Sequence, residues 1–182
     1  LDGGAMFGVV PKALWNKTNP ADDKNRIDLA ARSLLIEDGD RLVLIDAGMG
    51  NKQDDAFFRR YGLWGNHTLD KSLQDAGFSR ADITDVFFTH LHFDHCGGAV
   101  GWNKNRTGYE LAFPNATHWS NKAHWEWATK PNSREKASFL SENLLPIQES
   151  GQLRFISETN ASFIAKSEIG FGVLFVNGHS EK

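Results

Sequence analysis

Cysteine is almost missing from this chain: Cys96 is the one thiol in 182 residues. That excludes an intrachain disulfide framework and fits a reducing compartment. No apolar run approaches the roughly 20 residues needed to cross a bilayer, and no signal peptide is visible, so no membrane partner is expected. A cytoplasmic location is the expectation from those absences, although Leu1 stands where an initiator Met would. Basic runs are absent too. Lys and Arg number 20 against 23 Asp and Glu, for a net charge of −3. A nucleic-acid partner is thereby disfavoured, because such partners call for a basic patch or stripe. Internal repeats, low-complexity linkers and a Gly-x-Ser-x-Gly nucleophile elbow are missing as well. What remains is 40% hydrophobic and 24% charged, the composition of a folded chain with room for one core.

Residues 1–26 read as an irregular lead-in rich in Gly, Pro, Asn and Asp. A hairpin follows, Ser33–Glu37 and Arg41–Ile45, joined at Asp38-Gly39-Asp40. Leu42 to Ile45 are continuously apolar, as a strand buried on both faces would be. That strand ends in the glycine-rich Asp46-Ala47-Gly48-Met49-Gly50. Helical pattern is expected over Gln53–Tyr61 and Leu69–Ala76, with Gly77 closing the second. Ser79 and Asp82 have capping-box spacing. Asp85–Thr89 is a short strand. Leu111–Phe113 and Ala116–Trp119 are two more, and Ser120 is expected to cap a helix reaching Ala128. A further helix is expected over Ser133–Leu145, stopped by Pro146. Leu153–Ile156, Ser162–Ala165 and Gly172–Val176 read as strands. Strands, then helices, then strands again imply sheet layers with helices outside.

The richest stretch for chemistry is Thr89-His90-Leu91-His92-Phe93-Asp94-His95-Cys96-Gly97-Gly98. Imidazole nitrogen and carboxylate oxygen are ligands that divalent zinc takes readily. His90 and His92 are two apart, so in extended backbone they point the same way and can share one metal. Asp94 and His95 follow in the turn and can aim at a second. Gly97 and Gly98 let the backbone fold away without a side chain in its path.

The order His-x-His-x-Asp-His resembles the defining motif of the metallo-β-lactamase superfamily. Leu42–Ile45 followed by Asp46 and Gly48 resembles that family's first motif, a hydrophobic strand ending in Asp-x-Gly. Val176-Asn177-Gly178-His179-Ser180 is similar to its third, Gly-His-Thr/Ser after a strand. The resemblance implies an α+β fold, a four-layer αββα sandwich, with residues 1–182 as a single domain. It implies two divalent metal ions, with Zn2+ preferred and Mn2+, Fe2+ or Co2+ suited to the same donors. His90, His92 and His179 would hold the first ion, and Asp94 and His95 the second. Asp46 would orient the metal-site loop, and Asp94 would accept a proton during turnover. The family also uses a later bridging Asp and a final His. Neither can be placed by Lys182, so the domain is expected to be C-terminally incomplete, and poorly folded if these 182 residues are made alone.

The chemistry implied is hydrolysis by a metal-held hydroxide, since a divalent metal lowers the pKa of its water to about 7. The N-terminal stretch Asp2–Trp15, apolar but broken by Gly and Pro, reads as packing or as a loop at a pocket mouth. With the histidine motif it is similar to the branch holding quorum-quenching lactonases and methyl-parathion-type phosphotriesterases. Lactone opening, as of an acyl homoserine lactone, is the first expectation, with a small-molecule ester or lactone as partner. A phosphotriesterase or thioester hydrolase on the same site is the alternative. A non-catalytic metal-binding protein is the alternative of another class. A homodimer is compatible with either. His67, His118 and His124 read as ordinary surface or loop histidines. Trp119, Trp125 and Trp127 read as packing, and Cys96 as a small buried residue.

Overall fold

A computed structural model describes residues 1–156, 165–166 and 170–180, the pair 165–166 by backbone only. The chain divides into two compact units, residues 1–31 with 53–66, and residues 32–52 with 67–182.

The first unit holds three short helices, α1 (Gly3–Phe7), α2 (Lys12–Trp15) and α3 (Asp55–Tyr61). The lead-in is therefore more regular than its glycines suggest. Asp2 accepts the Ala5 amide proton and starts α1, which satisfies a donor that a helix start leaves open. Phe7 stacks on Trp15 with ring centroids 5.1 Å apart. Helix α3 starts two residues later than expected, because Asp54 is its cap and accepts from the Phe57 amide. Gly62, at φ 60°, ends it in the left-handed region.

The second unit is built on a five-stranded sheet. Its strands are β1 (Leu34–Asp38), β2 (Arg41–Ile45), β3 (Asp85–Phe87), β6 (Thr117–Asn121) and β7 (Leu153–Ile156), in the order β1-β2-β3-β6-β7. A two-stranded ribbon, β4 (Val100–Trp102) with β5 (Tyr109–Leu111), and the pair β8 (Ala165–Lys166) with β9 (Gly172–Val173) complete the strands. The helices are α4 (Leu69–Asp75), α5 (Phe93–Cys96), α6 (Lys122–Thr129) and α7 (Ser141–Glu149). The β1–β2 hairpin is antiparallel, and β2, β3, β6 and β7 run parallel.

Alternation along the strands gives this sheet two apolar faces. Leu42, Leu44, Val86 and Phe88 meet Leu73 of α4, Trp125 and Ala128 of α6, and Leu144 and Ile147 of α7. On the other face Phe87, Trp119 and Ile156 meet Phe171 and Val173. Helices cover one face and a strand pair approaches the other, the α+β sandwich order expected.

Several element boundaries differ from expectation, and around α6 and α7 the reasons are local. Asn121, not Ser120, caps α6, because the Asn121 side chain accepts the His124 amide while Ser120 is buried within β6. Over residues 133–140 only a single 3-10 turn forms, at Lys136–Ser138, and no α-helix. Asn132 accepts from the Arg134 and Glu135 amides and winds the chain into a turn instead. Pro146 lies inside α7 rather than ending it. The core face of Asn143, Leu144 and Ile147 is fully buried, and that burial outweighs the single backbone bond a proline removes. The expected strand Ser162–Ala165 falls mostly outside the described residues, and only Ala165 is seen, in β8.

Candidate metal centre

The parallel ladder sets up the site. Ile45 pairs with Phe87, and the Asp46 amide bonds the Phe87 carbonyl at 2.9 Å. The ends of β2 and β3 thus lie side by side, which puts Asp46 next to the first residues of the histidine loop. Asp46 sits at φ 57°, a conformation that short polar side chains tolerate. Its Oδ1 accepts the Thr89 amide at 2.8 Å. Its Oδ2 accepts the Thr89 hydroxyl at 2.7 Å and faces His95 Nδ1 at 2.8 Å.

These contacts assign tautomers. The Thr89 hydroxyl gives its proton to Asp46, so its 3.2 Å contact with His90 Nδ1 must be received from a His90 Nδ1–H. His90 Nε2 is then left with a lone pair. By the same logic His95 donates from Nδ1 to Asp46 and keeps Nε2 free, facing Asp94 Oδ2 at 3.8 Å. Thr89 was not singled out by its residue type, yet it links the acid to the first histidine.

The donor atoms of His90, His92 and His179 all lie within 4.8 Å of one another. His92 Nδ1 and His179 Nε2 are 3.2 Å apart. The His95 ring is 3.9 Å from that of His90, centroid to centroid, so the Asp94–His95 pair stands beside the triad. Backbone bonds fix the spacing: the His95 and Cys96 amides both reach the His92 carbonyl, closing the turn of α5. The six residues put forward from sequence therefore come together, in two adjoining groups.

Does this cluster suit a metal ion? Burial, followed by the neighbouring histidines, holds the His90 pKa down to about 2. Burial and His179 hold that of His92 down to about 4, against the pull of Asp94. Both rings are thus neutral at physiological pH, as metal ligation requires. The Nε2 atoms of His90 and His92 are buried without a hydrogen-bond partner among the described residues, a cost that an ion would relieve. For His95, burial lowers the pKa, but the Asp46 hydrogen bond and the Asp46 and Asp94 charges prevail and raise it. The donor set fits a divalent metal.

Glycines let the loops close over one another. A side chain on Gly98 would collide with the Ala47 carbonyl, and one on Gly97 with that of Met49. In their place the Gly98 amide bonds the Gly48 carbonyl at 2.8 Å, and the Ala47 amide bonds that of His95 at 2.7 Å. Lys52, only 4% exposed, donates to the Gly97 and Val100 carbonyls at 2.5 and 3.2 Å. Burial pulls its pKa down to about 8. The only hint of this lysine in the sequence is its place just after the glycine-rich loop.

Two histidines expected at the surface are interior. His118 is fully buried against Phe88, with centroids 6.1 Å apart. His124 is also buried, and its Nε2 accepts the Leu91 amide at 2.9 Å, which holds the loop between His90 and His92. His67 is exposed as expected. Cys96 is buried, donates to the Leu91 carbonyl at 3.3 Å, and burial pushes its thiol up to about 12. An open groove of about 580 Å3 runs between β5 and α7, from Tyr109 and Glu110 to Leu145 and Glu149, and includes none of these histidines. The candidate metal donors converge at the histidines and not in this groove.

Residues 26–173 match the sequence profile of the Metallo-beta-lactamase superfamily. The N-acyl homoserine lactonase AttM of Rhizobium johnstonii is 31% identical over 144 residues, which cover 72% of this chain and 48% of that protein. A probable metal-dependent hydrolase from Staphylococcus aureus superposes with a TM-score of 0.76 at 31% identity, over 94% of this chain and 62% of that one. AidC, described as a dizinc quorum-quenching lactonase, superposes with a TM-score of 0.50 at 29% identity, over 72% of this chain and 45% of its own. The chain spans 26% to 48% of the length of the curated relatives it matches.

Proposed function

Because the chain belongs to the metallo-β-lactamase superfamily, we propose that it serves a metal-dependent hydrolase that opens a lactone of the acyl homoserine class. The observation that carries this reading is the convergence of His90, His92 and His179, with Asp94 and His95 alongside. The likeness to AttM and AidC supports the lactone as substrate.

In this reading His90, His92 and His179 hold one ion, and Asp94 and His95 contribute to a second. Bound there, such ions would supply water activated at neutral pH and a Lewis acid for the substrate oxygen. The rest falls to side chains. Thr89 and Asp46 keep His90 and His95 in the forms whose Nε2 lone pairs point away from the protein's own hydrogen bonds. Asp94 takes up the proton that water gives up on adding to the lactone carbonyl carbon. It returns that proton to the ring oxygen as the C–O bond breaks, leaving a hydroxy acid. Phe139, buried with its ring 4.9 Å from that of His92, dries one side of the site.

The test is elemental analysis of the purified full-length protein, together with hydrolysis of hexanoyl homoserine lactone and of a phosphotriester. The expected result is about two metals per chain and lactone opening. His92→Ala should lower both metal content and turnover, the latter by roughly 100-fold or more. Phosphotriester turnover without lactone opening would replace the substrate. Metal binding with no turnover of either would favour a non-catalytic role. Metal-supplemented protein that binds none would overturn the reading.

A further inference from the structure

The residues from Leu174 to His179 are all exposed, yet Ser180 directly after them is buried, 8% exposed. Its hydroxyl donates to Glu135 Oε2 at 3.0 Å. The same oxygen accepts the Trp127 indole N–H at 3.0 Å. Glu135 is itself held by the turn in which Asn132 Oδ1 takes the Glu135 amide at 2.9 Å. Among the described residues, His179 thus lies between an exposed stretch and a buried attachment point. That attachment lies on the connection between α6 and α7, remote in sequence from every other residue of the histidine cluster.

We propose that Glu135 is a positioning residue for the metal centre. It latches Ser180 in place and so holds His179 against His90 and His92. The inference rests on the reading of that cluster as a metal site. The chemistry suits the task. A carboxylate oxygen can accept two donors at once, so Trp127, anchored on α6, keeps Glu135 aimed while Ser180 docks on it. Without the latch, His179 samples positions away from its partners, and the ordering it then undergoes on ligation weakens the metal's hold. Glu135 acts on His179 through Ser180, and its charge also reaches His92.

Cobalt is the probe, because its visible absorption reports how many nitrogens surround the ion in what geometry. The full-length protein is titrated with Co2+ as wild type, Glu135→Ala, Glu135→Gln, Ser180→Ala, Ser180→Thr and His179→Ala. Glu135→Ala and Ser180→Ala should each weaken Co2+ binding by roughly 10- to 100-fold, the range for partners that orient ligands, and alter the visible bands. The double variant should lose no more than either single one, since both remove one contact. Glu135→Gln and Ser180→Thr preserve an acceptor and a donor, and should keep the wild-type spectrum. A role in folding alone would not sort the variants in this way. Wild-type affinity and bands in Glu135→Ala and Ser180→Ala, with binding lost in His179→Ala, would overturn the latch and leave the metal site standing. Unchanged binding in His179→Ala would overturn the metal site itself. If Glu135→Ala does not fold, Ser180→Ala against Ser180→Thr decides the question alone.

Discussion

Asp46 holds together more of this site than any other side chain. One carboxylate takes three donors, the Thr89 amide, the Thr89 hydroxyl and His95 Nδ1. Asn at this position keeps the shape and tolerates the left-handed backbone, but it removes the charge and one acceptor oxygen. Asp46→Asn should therefore leave the fold intact. It should weaken binding of the second metal equivalent by roughly 10- to 100-fold, seen as a lost step in a metal titration. Unchanged stoichiometry and affinity would remove Asp46 from the site. The buried lysine at 52 belongs to the same scale. Its ammonium satisfies the Gly97 and Val100 carbonyls where the turn after Cys96 ends, which steadies the backbone below His95.

At the scale of elements, helix α6 connects a cap to the metal loop. Asn121 accepts the His124 amide at the start of the helix. One turn along its own backbone, the His124 ring accepts the Leu91 amide. Asn121→Ala should cost about 1 kcal/mol of stability by the usual worth of such a cap. It should also loosen the loop between His90 and His92. Denaturant midpoints measure the first effect, and faster amide exchange at Leu91 measures the second. Normal protection at Leu91 would show that the sheet alone positions His124. Helix α7 shows burial prevailing over propensity. Pro146 remains inside it because Leu144 and Ile147 are held in the core.

At the scale of the whole molecule, stability should depend on pH through histidines that are neutral in the fold. Burial holds His118 down to about 4, from the ordinary 6.5. The folded state therefore binds this proton more weakly than the unfolded state does. The contribution is full above about pH 6.5, is lost as pH falls toward 4, and flattens below that. Its size is about 3 kcal/mol, from 1.36 kcal/mol per unit. The metal-free protein should unfold at distinctly lower urea at pH 4.5 than at pH 7.5. His118→Phe, which retains a ring against Phe88, should reduce that difference. An undiminished difference would assign the effect to His90 and His92, which titrate in the same direction.

Sequence alone determined what depends on residues close in the chain. The hairpin from residue 34 to 45 was legible in its apolar runs and the Asp38-Gly39-Asp40 turn, and the buried strand Leu42–Ile45 in its unbroken apolarity. The histidine cluster was legible because ligand type and spacing are local properties, as was the need for small residues at Gly97 and Gly98. Tertiary structure decided what depends on distant partners. The sequence around Ser133–Leu145 suits a helix, but the Asn132 turn competes for its amide donors, and packing of Leu144 and Ile147 shifts the helix toward the C-terminus. His118 and His124 carry no local mark of burial. They are interior because parallel pairing of β3 with β6 turns one against Phe88, and because α6 carries the other back to Leu91. Glu135 reads as one charge in a polar stretch until the fold brings Ser180 to it from 45 residues away. Local sequence can specify which donors exist, but the partner of each buried polar group is chosen by the fold, since only there does leaving it unpaired carry a cost.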